Sequence, residues 1–254
     1  MNAGGFSRIK CDVPRPHVAR IAIASGPENP LDLEVCGELF GALGFVHGTP
    51  DIRAVVLAHD GPYFCSGGEV PSVATPDGKM VGPFAEVLKG LHSLGKPTIA
   101  AIDGKVAGAG LALVLATDLA IAGPAASLQV PEPAAGLWSF HVLAELVPLV
   151  GRRVAAELFL DGHAVNGVRA QSLGLVNHVT TGPALDDALD RAVKLVGLNP
   201  TAAALGLPAM RRAQAPDPGL YDWLQAQTDQ FLGSADAKEA LAAFKEGRAP
   251  SWRP

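Results

Sequence analysis

The sequence predicts an α/β fold whose strands pair in parallel. Three observations lead to this prediction. Strand-like and helix-like segments alternate through the first part of the chain. The segment "AVVLAHDG" (54–61) is continuously apolar, as expected for a strand buried on both faces. A glycine-opened apolar run follows a strand-like segment directly, and alternation of this kind is typical of parallel sheets covered by helices.

The elements up to the second strand and its helix follow from periodicity. "HVARIAIA" (17–24) alternates weakly and contains β-branched residues, which indicates a strand. The stretch 27–46 begins with turn residues and then places apolar residues at helical spacing. After the strand at 54–61, "PFAEVLKGLHSLG" (83–95) is predicted to be a helix that a glycine and a following proline end.

The next elements surround the glycines. "TIAAIDG" (98–104) is predicted to be a strand, and the run 106–117 is predicted to be a buried helix. Short strands are expected at "DLAIAG" (118–123) and "SLQVPE" (127–132). Beyond Arg152 the patterns become mostly helical, which indicates a module for subunit contacts or a lid.

Composition narrows the class of protein. The chain has 254 residues, of which 48% are hydrophobic and 18% charged, so one soluble globular unit with a large core is expected. The net charge of -5 provides no basic surface for nucleic acid. The longest apolar run has about a dozen residues, whereas a membrane span needs about 20.

The cysteines and the N-terminus indicate a compartment. Cys11, Cys36 and Cys65 have no metal-like spacing, and an odd, sparse count fits a reducing environment. "MNAGGFSRIK" lacks a hydrophobic signal core. A cytoplasmic protein without a metal site is therefore expected.

The glycine-opened run raises the question of what it binds. Gly108-Ala109-Gly110 resembles part of a dinucleotide fingerprint, but Leu113 stands where the third small residue belongs, and no Walker phosphate loop occurs. A helix N-terminus with unpaired amides can instead form an oxyanion hole with a second loop, for which "YFCSGGEV" (63–70) is the candidate. The alternative is that both segments are tight turns.

Taken together, the motifs resemble the crotonase superfamily, also called the enoyl-CoA hydratase/isomerase family. The matching segments cover nearly the whole chain in the family's order. They are "NPLD" (29–32), "FCSGGE" (64–69), "KPTIAAIDGKVAGAGLALVLATDLAIA" (96–122), "VPE" (130–132), "GHAVNGVRAQSLGLVNHV" (162–179) and "SADAKEALAAFKEGRAPSW" (234–252).

The resemblance implies a crotonase-like spiral of ββα units with a C-terminal helical trimerisation region. It divides the chain into a core with the acyl-CoA site (1–195) and a helical region (196–254) that makes subunit contacts and part of the CoA site. A homotrimer or a hexamer is expected. The CoA thioester is then a substrate, so no cofactor is implied.

The resemblance also implies the site residues. The thioester oxygen would be held by the backbone amides of Ser66 and Ala109. The substrate pocket is expected to comprise Gly67, Gly68, Gly108, Gly110, Ala112, Trp138, Phe140 and His141. The CoA-binding residues are expected to be Phe244, Lys245 and Arg248.

The family's hydratases use two glutamates, whereas this sequence retains a carboxylate at only one of the two positions. Ala112 stands in the first place, and Glu132 stands in the second. A single carboxylate favours proton transfer along the carbon skeleton, that is, enoyl-CoA isomerisation. The alternatives are an enoyl-CoA hydratase and an acyl-CoA binding protein without turnover.

Several residues keep two readings. Glu132 is either catalytic or structural, and Trp138 and Phe140 either line the acyl pocket or pack in the core. His141 is either a second acid/base group or a surface histidine. Glu69 is expected to position a loop, and Cys65 is not expected to be a nucleophile, because nothing near it in sequence lowers its pKa.

Overall fold

The computed structural model describes residues 5–69, 82–214 and 219–251. The strands are β1 (Ile9–Arg15), β2 (Val18–Ile23), β3 (Ala54–His59), β4 (Tyr63–Cys65), β5 (Thr98–Ile102), β6 (Lys105–Ala107), β7 (Leu119–Ala122), β8 (Ser127–Gln129), β9 (Val165–Asn166) and β10 (His178–Val179). The α-helices are α1 (Leu33–His47), α2 (Phe84–Ser93), α3 (Ala109–Leu115), α4 (Phe140–Asp161), α5 (Gly167–Leu173), α6 (Ala184–Leu195), α7 (Pro200–Arg212), α8 (Leu220–Gly233) and α9 (Ala235–Glu246). A 3₁₀ helix covers Glu132–Ala135.

Two sheets form the core of the fold. The larger has the strand order β1-β2-β3-β5-β7-β10, and the smaller has the order β4-β6-β8-β9. All strand pairs from β2 to β10 in the larger sheet are parallel, as are β4–β6 and β6–β8 in the smaller one. The predicted α/β class with parallel pairing is therefore confirmed.

The chain alternates between the two sheets in repeated ββα units. Each turn places a long strand in the larger sheet, a short strand in the smaller sheet and then a helix: β3-β4-α2, β5-β6-α3 and β7-β8-α4. Because the short strands lie side by side, the segments that follow them meet at one edge of the smaller sheet. This is the spiral of ββα units that the resemblance implied.

The larger sheet is buried on both faces. One face carries alternate residues such as Val55 and Leu57, which join the main core with helices α1 to α3. The other face carries Val56 and Ile99, which pack under α6. Burial on both sides explains why β3 reads as a continuous apolar run rather than an alternating one.

The prediction of one helix over 106–117 was wrong in its first part. The residues Lys105–Ala107 form β6, and the helix begins only at Ala109. Gly108 separates them with φ +52° and ψ -128°, a backbone conformation that residues other than glycine rarely adopt. The change from strand to helix therefore takes a single residue.

The helical prediction beyond Arg152 holds with a different boundary. Helix α4 begins at Phe140 and is interrupted at Gly151, whose φ of 76° and ψ of 163° are not helical. Helices α7, α8 and α9 contact one another, and α7 also contacts α2. Across the described ranges, no helix has the length and apolar character needed to cross a membrane.

Candidate active site

The loop before α1 is fixed by a buried asparagine. Asn29 has no exposed surface and a φ of 49°. Its Nδ2 donates to the carbonyl oxygens of Asp60 at 2.7 Å and Tyr63 at 2.8 Å, and its Oδ1 accepts from the Ser25 amide at 2.9 Å. One side chain therefore ties the "NPLD" loop to the connection between β3 and β4.

The same loop determines which amides after β4 are free. The Ser66 amide donates to the Glu28 carbonyl at 2.9 Å, and the Glu69 amide donates to the Leu31 carbonyl at 3.0 Å. Between them, the Gly68 amide has no acceptor among the residues described. Ser66 as an oxyanion donor is therefore contradicted, because its N–H is already used, and Gly68 is the available amide.

Gly67 and Gly68 lie against the entry to α3. A Cβ at Gly67 would stand 3.7 Å from the Ala109 amide nitrogen, and one at Gly68 would stand 3.9 Å from the Ala109 Cβ. The Ala109 amide is the first of the helix and likewise has no acceptor in the described parts of the chain. Two unpaired amides thus lie on adjoining segments, which is the arrangement an oxyanion hole needs.

Glycine at 110 is required by the packing of Cys65. A Cβ at Gly110 would stand 2.5 Å from the Cys65 Cβ, so a larger residue would push the two segments apart. Burial raises the pKa of the Cys65 thiol to about 12. The thiol is therefore protonated at neutral pH and serves as packing, in agreement with the expectation that Cys65 is not a nucleophile.

Glu132 brings a carboxylate to the same place. It opens the 3₁₀ helix after β8, and its Oε1 would be only 2.3 Å from a Cβ placed at Gly108. Because Gly108 has no side chain, the Glu132 carboxylate can occupy the space that a Cβ would fill. The other oxygen, Oε2, is buried and has no hydrogen-bond partner in the described residues.

The environment of Glu132 favours its neutral form more than water does. Burial raises the pKa of this carboxyl group above its ordinary value. A carboxylate with a raised pKa binds a proton more readily than an exposed one. The group is therefore better suited to accept and return a proton than an exposed carboxylate is.

Ala112 lies one turn into α3 and is fully buried. Its amide donates to the Gly108 carbonyl at 3.3 Å, within the first turn of the helix. A methyl group supplies neither a proton acceptor nor a hydrogen-bond donor. Within this turn, the place that the resemblance gives to a second carboxylate therefore has no acid or base.

The aromatic residues after Glu132 differ in their surroundings. The Trp138 ring lies 5.0 Å from the Phe159 ring, whereas Phe140 is 70% exposed. His141 meets Phe84 of α2 edge to face at 5.3 Å. Trp138 is therefore partly packed in the core, whereas Phe140 is not. His141 contacts an aromatic ring, and its role as an acid or base stays a prediction.

The expected CoA-binding residues are only partly described. The side chains of Phe244 and Lys245 lie outside the described residues. Arg248 pairs with Glu239 at 2.7 Å and with Glu246 at 2.5 Å, and the arginine lowers the pKa of Glu239 to about 2. Its role in binding the phosphates of CoA stays a prediction.

Two aspartates near α3 have structural roles. The Asp103 carboxylate accepts from the amides of Ala184 at 2.6 Å and Leu185 at 3.2 Å, so it caps α6. Asp118 accepts from Thr98 and pairs with Arg211 at 2.9 Å. Among the residues that the structure describes, no cluster of three or more His, Cys, Asp or Glu is placed to hold a metal ion.

Sequence reasoning placed Gly68 in the substrate pocket but missed its amide as the available donor. The free amide depends on how the chain after β4 pairs with residues 28–31, and that pairing is non-local. The adjacent glycines Gly67 and Gly68 were the one available signal for this amide.

Comparison with known proteins agrees with this geometry. Residues 15–254 match the family model described as enoyl-CoA hydratase/isomerase. A putative enoyl-CoA hydratase of Thermus thermophilus is 31% identical over 253 residues, covering 94% of this chain and 99% of that protein. An enoyl-CoA hydratase of Mycobacterium tuberculosis is 31% identical over 241 residues, covering 89% of this chain and 88% of that protein.

Solved structures show the same fold. The enoyl-CoA hydratase of Bacillus anthracis superposes with a TM-score of 0.86 at 27% identity, covering 97% of this chain and 99% of that one. AtuE of Pseudomonas aeruginosa superposes with a TM-score of 0.88 at 26% identity, covering 98% and 100%. The sequence and structural likenesses therefore extend over nearly the full length of the chain.

Proposed function

The chain belongs to the enoyl-CoA hydratase/isomerase family, and we propose that it moves the double bond of an enoyl-CoA with Glu132 as the proton carrier. The family acts on acyl-CoA thioesters. The observation that carries the finer proposal is the Glu132 carboxylate lying against Gly108, next to the unpaired amide of Ala109. No second carboxylate accompanies it on the first turn of α3, where Ala112 stands.

The proposed reaction needs one base and two amides. Glu132 takes a proton from the α-carbon of a 3-enoyl-CoA, and the electron pair moves onto the thioester oxygen as an enolate. The amides of Gly68 and Ala109 donate to that oxygen and stabilise its charge. As the enolate collapses, the double bond shifts toward the thioester, and Glu132 returns the proton to the γ-carbon. Atoms and charge balance without a cofactor.

Hydration of a 2-enoyl-CoA is the second candidate. The relatives from Thermus thermophilus and Mycobacterium tuberculosis are both named enoyl-CoA hydratases, which favours this reaction. With one carboxylate, however, the same group must orient the water and supply the α-proton. We therefore rank hydration below isomerisation, and binding without turnover below both.

A substrate panel distinguishes the three candidates. The protein is incubated with 2-enoyl-CoA and 3-enoyl-CoA substrates of several chain lengths, and the products are identified by mass and chromatography. Isomerisation leaves the mass unchanged, and hydration adds the mass of one water. Hydration as fast as isomerisation would contradict the one-carboxylate proposal. Binding of the panel without any product would leave the acyl-CoA binding protein.

The role of the Gly68 amide as an oxyanion donor is tested by substitution with proline. Gly68→Pro removes the N–H, and we expect kcat to fall by about 10²- to 10³-fold, since one oxyanion donor is typically worth that much. Gly68→Ala keeps the N–H, and its Cβ would make an ordinary 3.9 Å contact with Ala109, so it is the matched control. Steady-state kinetics and circular dichroism are measured for both variants.

The outcome at Ser66 completes this test. Ser66→Ala should retain acyl-CoA affinity and turnover within a few-fold, because its amide bonds to Glu28 and its hydroxyl takes no part in the proposed reaction. A folded Gly68→Pro protein with unchanged kcat would remove Gly68 from the oxyanion hole.

We further propose a cytoplasmic homotrimer or hexamer that binds no nucleic acid. The family resemblance supports this assembly, and the net charge of -5 opposes binding to nucleic acid. Light scattering of the purified protein measures the mass of the particle directly, and the mass of a single chain in solution would refute the assembly.

A further inference from the structure

We propose that Gln129 is a positioning residue, whose side-chain amide ties the end of β8 to the Gly162 carbonyl and thereby holds Glu132 beside Gly108. This inference rests on the proposed function, because it concerns the group that carries the proton. It assigns a role to a glutamine outside both glycine motifs and outside the expected substrate pocket.

The bond between Gln129 and Gly162 joins two elements that are distant in the chain. Gln129 is the last residue of β8, and its Nε2 donates to the Gly162 carbonyl at 2.8 Å. Gly162 ends α4 in the left-handed conformation, with φ 63°. Carbonyls at the end of a helix have no partner within the helix, so they accept from groups outside it. The glutamine therefore fixes the end of β8 against the end of α4.

The side chain of Gln129 takes over where backbone pairing with β9 stops. Strand β8 pairs with β9 up to Leu128, which lies opposite Val165. At the next residue of β8, the side-chain bond to Gly162 takes the place of a strand pair. On its other side, Gln129 pairs with β6, and its carbonyl accepts from the Gly108 amide at 3.2 Å. The end of β8 is thus held from both sides.

The connection from Gln129 to Glu132 is short and stiff. Between them lie Val130, which is 1% exposed and belongs to the core, and Pro131, whose ring restricts φ and removes the N–H. Glu132 Oε1 in turn lies against Gly108, which bonds to the Gln129 carbonyl. A shift of Gln129 would therefore change the place of the carboxylate relative to Gly108.

The carboxylate depends on the backbone that carries it. Within the segments that the structure describes, Oε2 of Glu132 is buried without a hydrogen-bond partner, so this oxygen has no bond that fixes its place. The amide of Gln129 is neutral and acts on the backbone, so it adds no charge that would neutralise the base. Gln129 thus orients Glu132 while leaving it able to accept a proton.

The test is the pKa of Glu132 in Gln129→Met, measured by NMR on protein labelled with ¹³C-glutamate. Methionine is a flexible side chain of similar length without an N–H, so the bond to Gly162 is lost while the space stays filled. The Glu132 carboxyl signal is identified by its loss in Glu132→Gln. Because burial raises the pKa of Glu132, a carboxylate that moves toward water should titrate at lower pH. Gln129→Ala, which removes the same donor, should shift the pKa in the same direction.

The kinetic expectation has the same cause. The value of kcat should fall by about 10-fold, since a displacement of about 1 Å at a reacting group typically costs about 10²-fold and the loosened segment should move by less. The value of KM should stay within a few-fold, because the amides of Gly68 and Ala109 are unchanged. Because the base must be ionised, the acid limb of kcat against pH should move to lower pH.

The matched control is Gln171→Met. The Gln171 Nε2 likewise donates to a backbone carbonyl, that of Asn177 at 3.2 Å, and this residue lies on α5 rather than at the candidate site. The control should keep the wild-type kcat and the wild-type pKa of Glu132. Melting temperatures of all three variants show how much of any change comes from lost stability.

The outcomes separate this inference from the proposed function. A Glu132 pKa that is unchanged or higher in folded Gln129→Met and Gln129→Ala overturns the inference, whatever the activity. So does a lower melting temperature with an unchanged pH profile, because Gln129 would then only stabilise the fold. A lowered pKa in a protein that converts no enoyl-CoA supports the role of Gln129 and refutes the proposed function instead.

Discussion

Glu132→Gln is expected to lower kcat for an enoyl-CoA by about 10²- to 10⁴-fold, the usual contribution of general acid–base catalysis. Glutamine keeps the shape of the side chain and fits the space beside Gly108, but it accepts no proton. Affinity for the acyl-CoA should stay within a few-fold, because the amides that hold the thioester are unchanged. Single-turnover kinetics and isothermal titration calorimetry measure the two quantities separately.

The matched control is Glu145→Gln. Glu145 is also largely buried, with 13% of its side chain exposed, and it bonds to His92 at 3.1 Å rather than to any group of the candidate site. It should lose some stability but keep its turnover number. Full activity in Glu132→Gln would remove Glu132 from the reaction, and equal losses in both variants would indicate a general effect on folding.

Gly108→Ala is expected to have the next largest effect. The new Cβ would overlap the Glu132 carboxylate, since the distance would be 2.3 Å, and the carboxylate would have to move. A displacement of about 1 Å at a reacting group typically costs about 10²-fold in rate. The strained backbone of Gly108 would also cost about 1–3 kcal/mol of stability. Kinetics and chemical denaturation measure both losses.

Gly174→Ala separates the effect of backbone strain from that of overlap with the Glu132 carboxylate. Gly174 ends α5 with φ 83°, and a Cβ there would meet no atom within 4 Å. This variant should lose about 1–2 kcal/mol of stability and retain full activity. If Gly108→Ala lost only stability and kept its turnover number, the carboxylate would not occupy the place beside Gly108 during the reaction.

The sequence predicts the long elements well because each carries its own signal. Periodicity identifies α1 and α2, and continuous apolar runs identify β3 and β5. In the smaller sheet, β8 was expected within 127–132, whereas β4, β6 and β9 escape prediction, since two or three residues such as Lys105–Ala107 are too few to show a period. Their pairing depends on strands that are distant in the chain, and this information is absent from a local window.

The site is predicted in part for the same reason. Glu132 and Ala109 are identified from motifs that the resemblance supplies. The choice between Ser66 and Gly68 depends on a carbonyl at Glu28, on a loop that a different part of the chain holds in place. Contacts across loops, rather than residue types, decide these roles.

The separation of the amides from the carboxylate has a consequence for divergence. The amides are fixed by buried groups, Asn29 and Cys65, whose replacement would disturb the core. The Glu132 carboxylate belongs to the segment 132–139, most of which is exposed. Exchange of this one segment would therefore change the carboxylate while leaving the amides of Gly68 and Ala109 where they are. Libraries randomised at 133–138, with Glu132 retained, would test that separation by whether turnover changes while acyl-CoA affinity does not.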